Sequence, residues 1–149
     1  MPAIDVWAQQ PNPVFLSQPF FDSLKRWTGM DVDNVPVDVL LDSMDKADVS
    51  LALIAAWYGP QGPLISNEQV LEVVRAYPDR FAGLASADLR DPVEAVRTLR
   101  DYVGEHGFKG LRIVQWVWEL ACSHPLYYPL LATCVELDVP VCLQVGHTG

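Results

Sequence analysis

The sequence predicts an α/β protein built on parallel strands, and three observations carry that prediction. Apolar runs of strand length alternate with segments of helical periodicity along the whole chain. The densest run, "VSLALIAAW" at residues 49–57, is too apolar for a half-exposed strand and is expected to be buried on both faces. Half of the 149 residues are hydrophobic, enough for one cored domain.

Each element has its own signal. Residues 4–7 form a short apolar start. Residues 35–48 carry Val37, Leu40, Leu41 and Met44, the i, i+3, i+4, i+7 set of an amphipathic helix, with Asn34 and Pro36 placed to open it. After the 49–57 strand, Ser66 and Gln69 make a capping-box pattern. Val70, Val73, Val74 and Tyr77 then form one helical stripe that Pro78 stops. Residues 81–88 are the third strand. Asp91-Pro92 opens a helix with Val96, Leu99 and Val103 inward, and Gly107 is placed to cap its end. Residues 109–115 are the fourth strand. Residues 125–137 are a helix with Leu126, Leu130, Cys134 and Leu137 on one side, and residues 139–145 are the fifth strand.

Such alternation means parallel strands, right-handed crossovers and helices outside. Two architectures fit: the first five strands of a (β/α)8 TIM-type barrel, or an open doubly wound parallel sheet. The open sheet ordinarily ends with a helix over its last strand, so the helix-less end at residues 139–149 favours the partial barrel. The chain is one domain, 1–149, in which residues 8–34 form a long insertion after the first strand. That insertion holds Phe15, Phe20, Phe21 and Trp27, its stretch "PFFDSLKRW" is a candidate short helix, and its length suits a lid.

Composition narrows the partners. Net charge is −9, with ten Lys and Arg residues and no basic stripe, which argues against nucleic acid and anionic membrane. The start "MPAIDVW" lacks the pattern of a signal peptide, and no apolar run reaches the roughly 20 residues that span a bilayer. Cys122, Cys134 and Cys142 are odd in number and lack a CxxC spacing, as expected of a reduced, cytoplasmic protein. An uncovered fifth strand would call for pairing with a second copy, hence a homo-oligomer. The remaining expected partner is a small molecule.

Chemistry in either architecture belongs at the C-terminal ends of the strands. Those ends offer Trp7, Gln9, Trp57, Tyr58, Asp88, Arg112, Gln115, Trp116 and His147. Neither GxSxG nor HExxH occurs, and "WAQQPNP" after the first strand has no glycine for a phosphate-cradling loop.

"YPDRFAGLASADLRDP", then "GFKGLRI", then "PLYYPLLATCVELDVPVCLQVGHTG" together resemble the amidohydrolase-related (amidohydrolase 2) family. These are metal-dependent barrel hydrolases and decarboxylases of the aminocarboxymuconate-semialdehyde decarboxylase type. The resemblance implies a (β/α)8 barrel and a divalent metal, zinc or manganese, that activates water or polarises the substrate. It also implies two first-strand histidines in a D-x-H-x-H motif and another at the end of the fifth strand. His147 matches the last of these, whereas Trp7 and Gln9 stand at the first-strand positions. An indole only donates hydrogen bonds, and a neutral amide oxygen is a poor zinc ligand.

The site residues keep more than one reading. His147 is a metal ligand, a general base, or a strand-end histidine hydrogen-bonded to its surroundings. Arg112 clamps a substrate carboxylate, or pairs with Asp88 or Glu119. Trp7, Trp57, Trp116 and Trp118 line a wall for a planar acid, with Gln9 beside them, or are core. Asp88 is an acid/base or the cap of the following turn. His106 reads as structural at a helix end, and His124, before Pro125, as a surface residue. Three functions are consistent with this set: a hydrolase or decarboxylase of a small carboxylated or aromatic substrate, a metal-free relative that captures a ligand or assembles, and a half-barrel completed by a second copy.

Overall fold

The computed structural model describes residues 3–29 and 32–146. Its strands are β1 (Ala3–Ala8), β2 (Val49–Ala55), β3 (Trp57–Gly59), β4 (Gly62–Ile65), β5 (Phe81–Leu84), β6 (Leu111–Ile113) and β7 (Val141–Leu143). Its helices are α1 (Pro13–Leu16), α2 (Asp22–Thr28), α3 (Val37–Lys46), α4 (Asn67–Ala76), α5 (Pro92–Gly104), α6 (Gln115–Trp118) and α7 (Tyr128–Glu136), with 3-10 turns at Pro19–Phe21 and Pro125–Tyr127. Among the described residues no helix is long and apolar enough to cross a membrane.

β1, β2 and β5 pair in parallel in that order, and β6 pairs in parallel with β7. The ladder passes from β5 to β6 through Ala85. Its N–H donates to the Gly110 carbonyl at 2.8 Å, and its carbonyl accepts from the Arg112 N–H at 2.7 Å. The five strands expected from sequence therefore lie side by side in chain order. A doubly wound sheet reverses its order at a switch point; a barrel does not. Curvature agrees. β1 and β6 are three strand spacings apart, ~14 Å in a flat sheet, yet the Arg112 Cζ lies 3.4 Å from the centroid of the Trp7 ring.

The strand-entrance motifs have mechanical roles. Arg80, from "YPDRF", donates through Nη2 to Asp45 at 2.7 Å and through Nε to the Ser50 carbonyl at 3.2 Å, tying the start of β5 to the start of β2. In "GFKG", Gly107 has φ +71°, a left-handed backbone that glycine adopts at least cost. A Cβ on Gly110 would come within 2.5 Å of the Pro140 carbonyl oxygen, so β6 and the approach to β7 touch only because that position is bare. Ser66 and Gln69 form the expected capping box on α4, and the Asp91 side chain accepts the Glu94 N–H at the start of α5.

Several expectations are corrected. α3 begins after Pro36 with no side-chain cap, so Asn34 does not open it. β2 is sealed only toward its C-terminal end, where Ala52, Ile54 and Ala55 are buried, while Ser50 is exposed and Val49, Leu51 and Leu53 are partly covered. Beyond Ala55 the chain builds the antiparallel β3–β4 hairpin, which periodicity did not indicate. Its "GPQG" turn was the available signal, and Gly62 in it has φ +110°. β5 and β6 are shorter than expected, and Gln115, placed at the end of a strand, opens α6 instead. Leu126 is at the surface and Tyr127 fills the interior in its place. Ala8, assigned to the insertion, is the last residue of β1, and the short helix expected at residues 19–27 is the Pro19–Phe21 turn followed by α2.

Candidate functional site

β1 pairs irregularly with β2 between Asp5 and Ala8. There the Trp7 N–H leaves the ladder and donates to Asp5 Oδ1 at 2.8 Å. Irregularities of this kind re-aim a side chain, and here the aimed side chain is Trp7, whose indole stacks on Arg112.

Arg112 is the middle residue of β6, opposite Cys142 of β7 in the parallel register. It is fully buried, and Nε, Nη1 and Nη2 all lack a hydrogen-bond partner. The alternative of a structural ion pair with Asp88 or Glu119 is therefore corrected: the guanidinium pairs with neither. Its neighbours are the Trp7 face and, 5.6 Å from Cζ, the Trp57 ring. A cation on an indole gains about 0.5–2 kcal/mol, less than the several kcal/mol that burying an uncompensated ion costs. Burial pushes Arg112 down to about 10, which leaves it charged at neutral pH.

Other polar atoms stranded in the interior sit just beyond strand ends. Gln9 Oε1 follows β1, Trp57 Nε1 follows β2, and Gln144 Oε1 follows β7; each is buried without a partner. Gln144 was not singled out by the sequence reading, although its place one residue after an apolar run is a signal of the same kind as that of Gln9.

Trp57 is 3% exposed and meets Phe15 edge-on at 4.8 Å and Trp116 at 6.2 Å between centroids. Trp116 in turn meets Phe20 at 4.9 Å. The insertion thus packs its phenylalanines against Trp57 and Trp116. Asn12 holds it there: the side chain caps α1 and donates to the Leu64 carbonyl at 3.0 Å and to Gln69 at 2.9 Å. A cavity of about 570 Å³ opens between Gln18 and Phe20 of the insertion, the hairpin turn, and Trp116 and Glu119. This is a size that small molecules use. Trp116 lines it, and Arg112 does not. The cation weighs more than the cavity, because its buried donors are unsatisfied.

Asp88 is occupied elsewhere. The Arg90 side chain donates to both of its oxygens and the Arg90 N–H to Oδ1 at 2.9 Å, which holds the carboxyl below its ordinary range. Arg90 also donates to the Pro60 carbonyl, linking this turn to the hairpin. His124 is more than a surface residue, since its Nδ1 accepts the Leu126 N–H at 3.3 Å. His147 lies outside the described residues. Among the described residues no group of three or more His, Cys, Asp or Glu could hold a metal ion, and a catalytic zinc needs about three protein ligands. Trp7 cannot serve as one, and its ring is committed to Arg112. The described residues do not fit a metal centre.

Known proteins are similar to this chain. A TIM-barrel protein of Bordetella bronchiseptica superposes with a TM-score of 0.75 at 20% identity, over 99% of this chain and 57% of its own. A dihydroxybenzoic acid decarboxylase from Polaromonas, solved with manganese and the inhibitor 2-nitroresorcinol, gives 0.70 at 21% identity, over 95% and 48%. The 2-amino-3-carboxymuconate-6-semialdehyde decarboxylase of Dictyostelium discoideum is 25% identical over 115 residues, 70% of this chain and 32% of that protein. The chain thus spans about a third of that relative's length. The solved structures identify the fold as a TIM barrel, of which this chain presents five consecutive strands. The amidohydrolase family model matches residues 30–149, and the chain belongs to that family.

Proposed function

We propose that this chain supplies the acid-binding mouth of an amidohydrolase-family decarboxylase acting on a small aromatic carboxylic acid. One observation carries the reading: a fully buried guanidinium with no partner on any of its three nitrogens, set in a strand of the barrel. A carboxylate meets the guanidinium fork with two parallel charge-assisted hydrogen bonds, and so removes the cost that the empty site carries. The similarity to two decarboxylases supports the reaction class.

In this reading Arg112 binds and orients the carboxylate, and Trp7 and Trp57 bound the space for the ring. Gln9 and Gln144 offer acceptors to substrate hydroxyls. Phe15 and Phe20 anchor the insertion as a lid over Trp57 and Trp116. His147 is assigned the proton that replaces carbon dioxide on the ring carbon. Asp88 is left out of the chemistry because Arg90 already satisfies it. Release of carbon dioxide from a panel of hydroxybenzoates by the intact protein is the test. Release that survives Arg112→Met in a folded variant, or no release from any member, would overturn the proposal.

A further inference from the structure

The first-strand tryptophan does more than replace a ligand. Its ring lies on the guanidinium at 3.4 Å, and Trp7 is itself 39% exposed, whereas Arg112 is not exposed at all. The indole gives the cation a π face but offers none of its five N–H donors an acceptor. Trp7 therefore holds the place of an anion without satisfying it. The strand irregularity that aims Trp7, with Asp5 taking its N–H, puts this cover on a rim whose backbone is already out of the ladder.

We infer that Trp7 and Arg112 form a metal-independent receptor for planar aryl carboxylates, in which Trp7 is a cover that the ligand displaces from the guanidinium. The inference rests on the decarboxylase reading for its ligand class, and deepens it by assigning acid recognition to a fixed cation. A flat aryl ring replaces the indole as the neighbour of the guanidinium, while the carboxylate accepts the N–H groups the indole leaves idle. A puckered aliphatic acid supplies the charge without the face. A divalent ion brought close to the same unpaired guanidinium meets a like charge.

The test is calorimetric titration of the intact protein with 2-hydroxybenzoate, cyclohexanecarboxylate and 2-(hydroxymethyl)phenol, after chelation and again with manganese added. The expected result is that 2-hydroxybenzoate binds equally in both conditions. The phenol lacking a carboxylate does not bind, and the aliphatic acid binds more weakly. Arg112→Met loses about tenfold or more in affinity, in line with the loss of charge-assisted hydrogen bonds. Arg112→Lys, which keeps the charge without the fork, falls between. Indole fluorescence changes on binding, and that change is lost in Trp7→Leu. Binding that appears only with manganese, or that is unaltered in a folded Arg112→Met variant, overturns the inference. So does absence of binding in both conditions. Carbon dioxide release is a separate readout: binding without release defeats the decarboxylase reading and leaves the receptor standing.

Discussion

Two sets of buried polar groups beside the C-terminal end of β5 obey different rules. On the helix side, the buried polar group Asn67 at the start of α4 is satisfied twice, donating to the Ser86 carbonyl and accepting the Ser86 N–H, both at 2.9 Å. Leu84, Leu99 and Leu111 are fully buried in the same frame. At the mouth, Arg112, Gln9, Trp57 and Gln144 strand polar atoms in the interior. The buried Tyr127 hydroxyl, on the 3-10 turn Pro125–Tyr127, also lacks a partner. Native interiors pair nearly all buried polar groups, so orphans in β6 and just past β1, β2 and β7 are the feature on which the proposed ligand site rests. The frame can be broken by removing what it has; the mouth is improved by removing what it lacks a use for.

The largest expected effect is in the frame. Phe81, 1% exposed at the start of β5, packs edge-on against Tyr77, and Phe81→Ala is expected to cost about 3–5 kcal/mol in denaturant unfolding. The opposite sign is expected at the mouth. Arg112→Met keeps much of the side-chain volume and deletes an unpaired buried charge, so stability is expected to rise by about 1–4 kcal/mol while aryl-acid binding is lost. A clear loss of stability in that variant would mean that the guanidinium has a protein partner, and the contrast between the two regions would collapse. Asn67→Ala sharpens the contrast from the other side. It leaves the Ser86 N–H and carbonyl buried and unpaired, and is expected to cost about 1–3 kcal/mol by the same measurement.

What was legible in the sequence follows the same division. The frame could be read because burial imposes periods: Val37, Leu40, Leu41 and Met44 line α3, and Ser66 with Gln69 announces α4. The mouth could be read only as positions. That Arg112 lies in an apolar strand was visible; that Trp7 would reach it across three strands was not, because contact at that range depends on how far the sheet curls. The β3–β4 hairpin escaped because the apolar run at residues 49–57 continues through Ala56 to Trp57 without a break, while the chain itself turns there. Asn67 escaped for a related reason: an asparagine at a helix start suggests a solvated cap, and only the packing of α4 on β5 shows that it bridges to Ser86.

The smallest expected effect lies at the border of the frame, where a surface carboxylate leans on a buried phenol. The Tyr102 hydroxyl donates to Glu68 at 2.5 Å, and this bond is the largest cause holding the Glu68 carboxyl below its ordinary 4.5. A carboxyl lowered in the folded state stabilises the fold above the unfolded value, and that contribution disappears as pH falls through the folded value. Tyr102→Phe removes the donor and leaves the ring in place. At pH 7 the variant is expected to be less stable by about 0.5–1 kcal/mol, kept small because Glu68 is exposed to solvent. Urea unfolding repeated from pH 7 downward should show the difference shrinking once the pH passes below about 4.5, as Glu68 takes up its proton in both proteins. The residual slope in the variant belongs to the other donors on Glu68, its own backbone N–H and Ser66. A difference that stays constant with pH would mean that Tyr102 acts on stability through packing alone, and would remove this hydrogen bond from the frame's satisfied set.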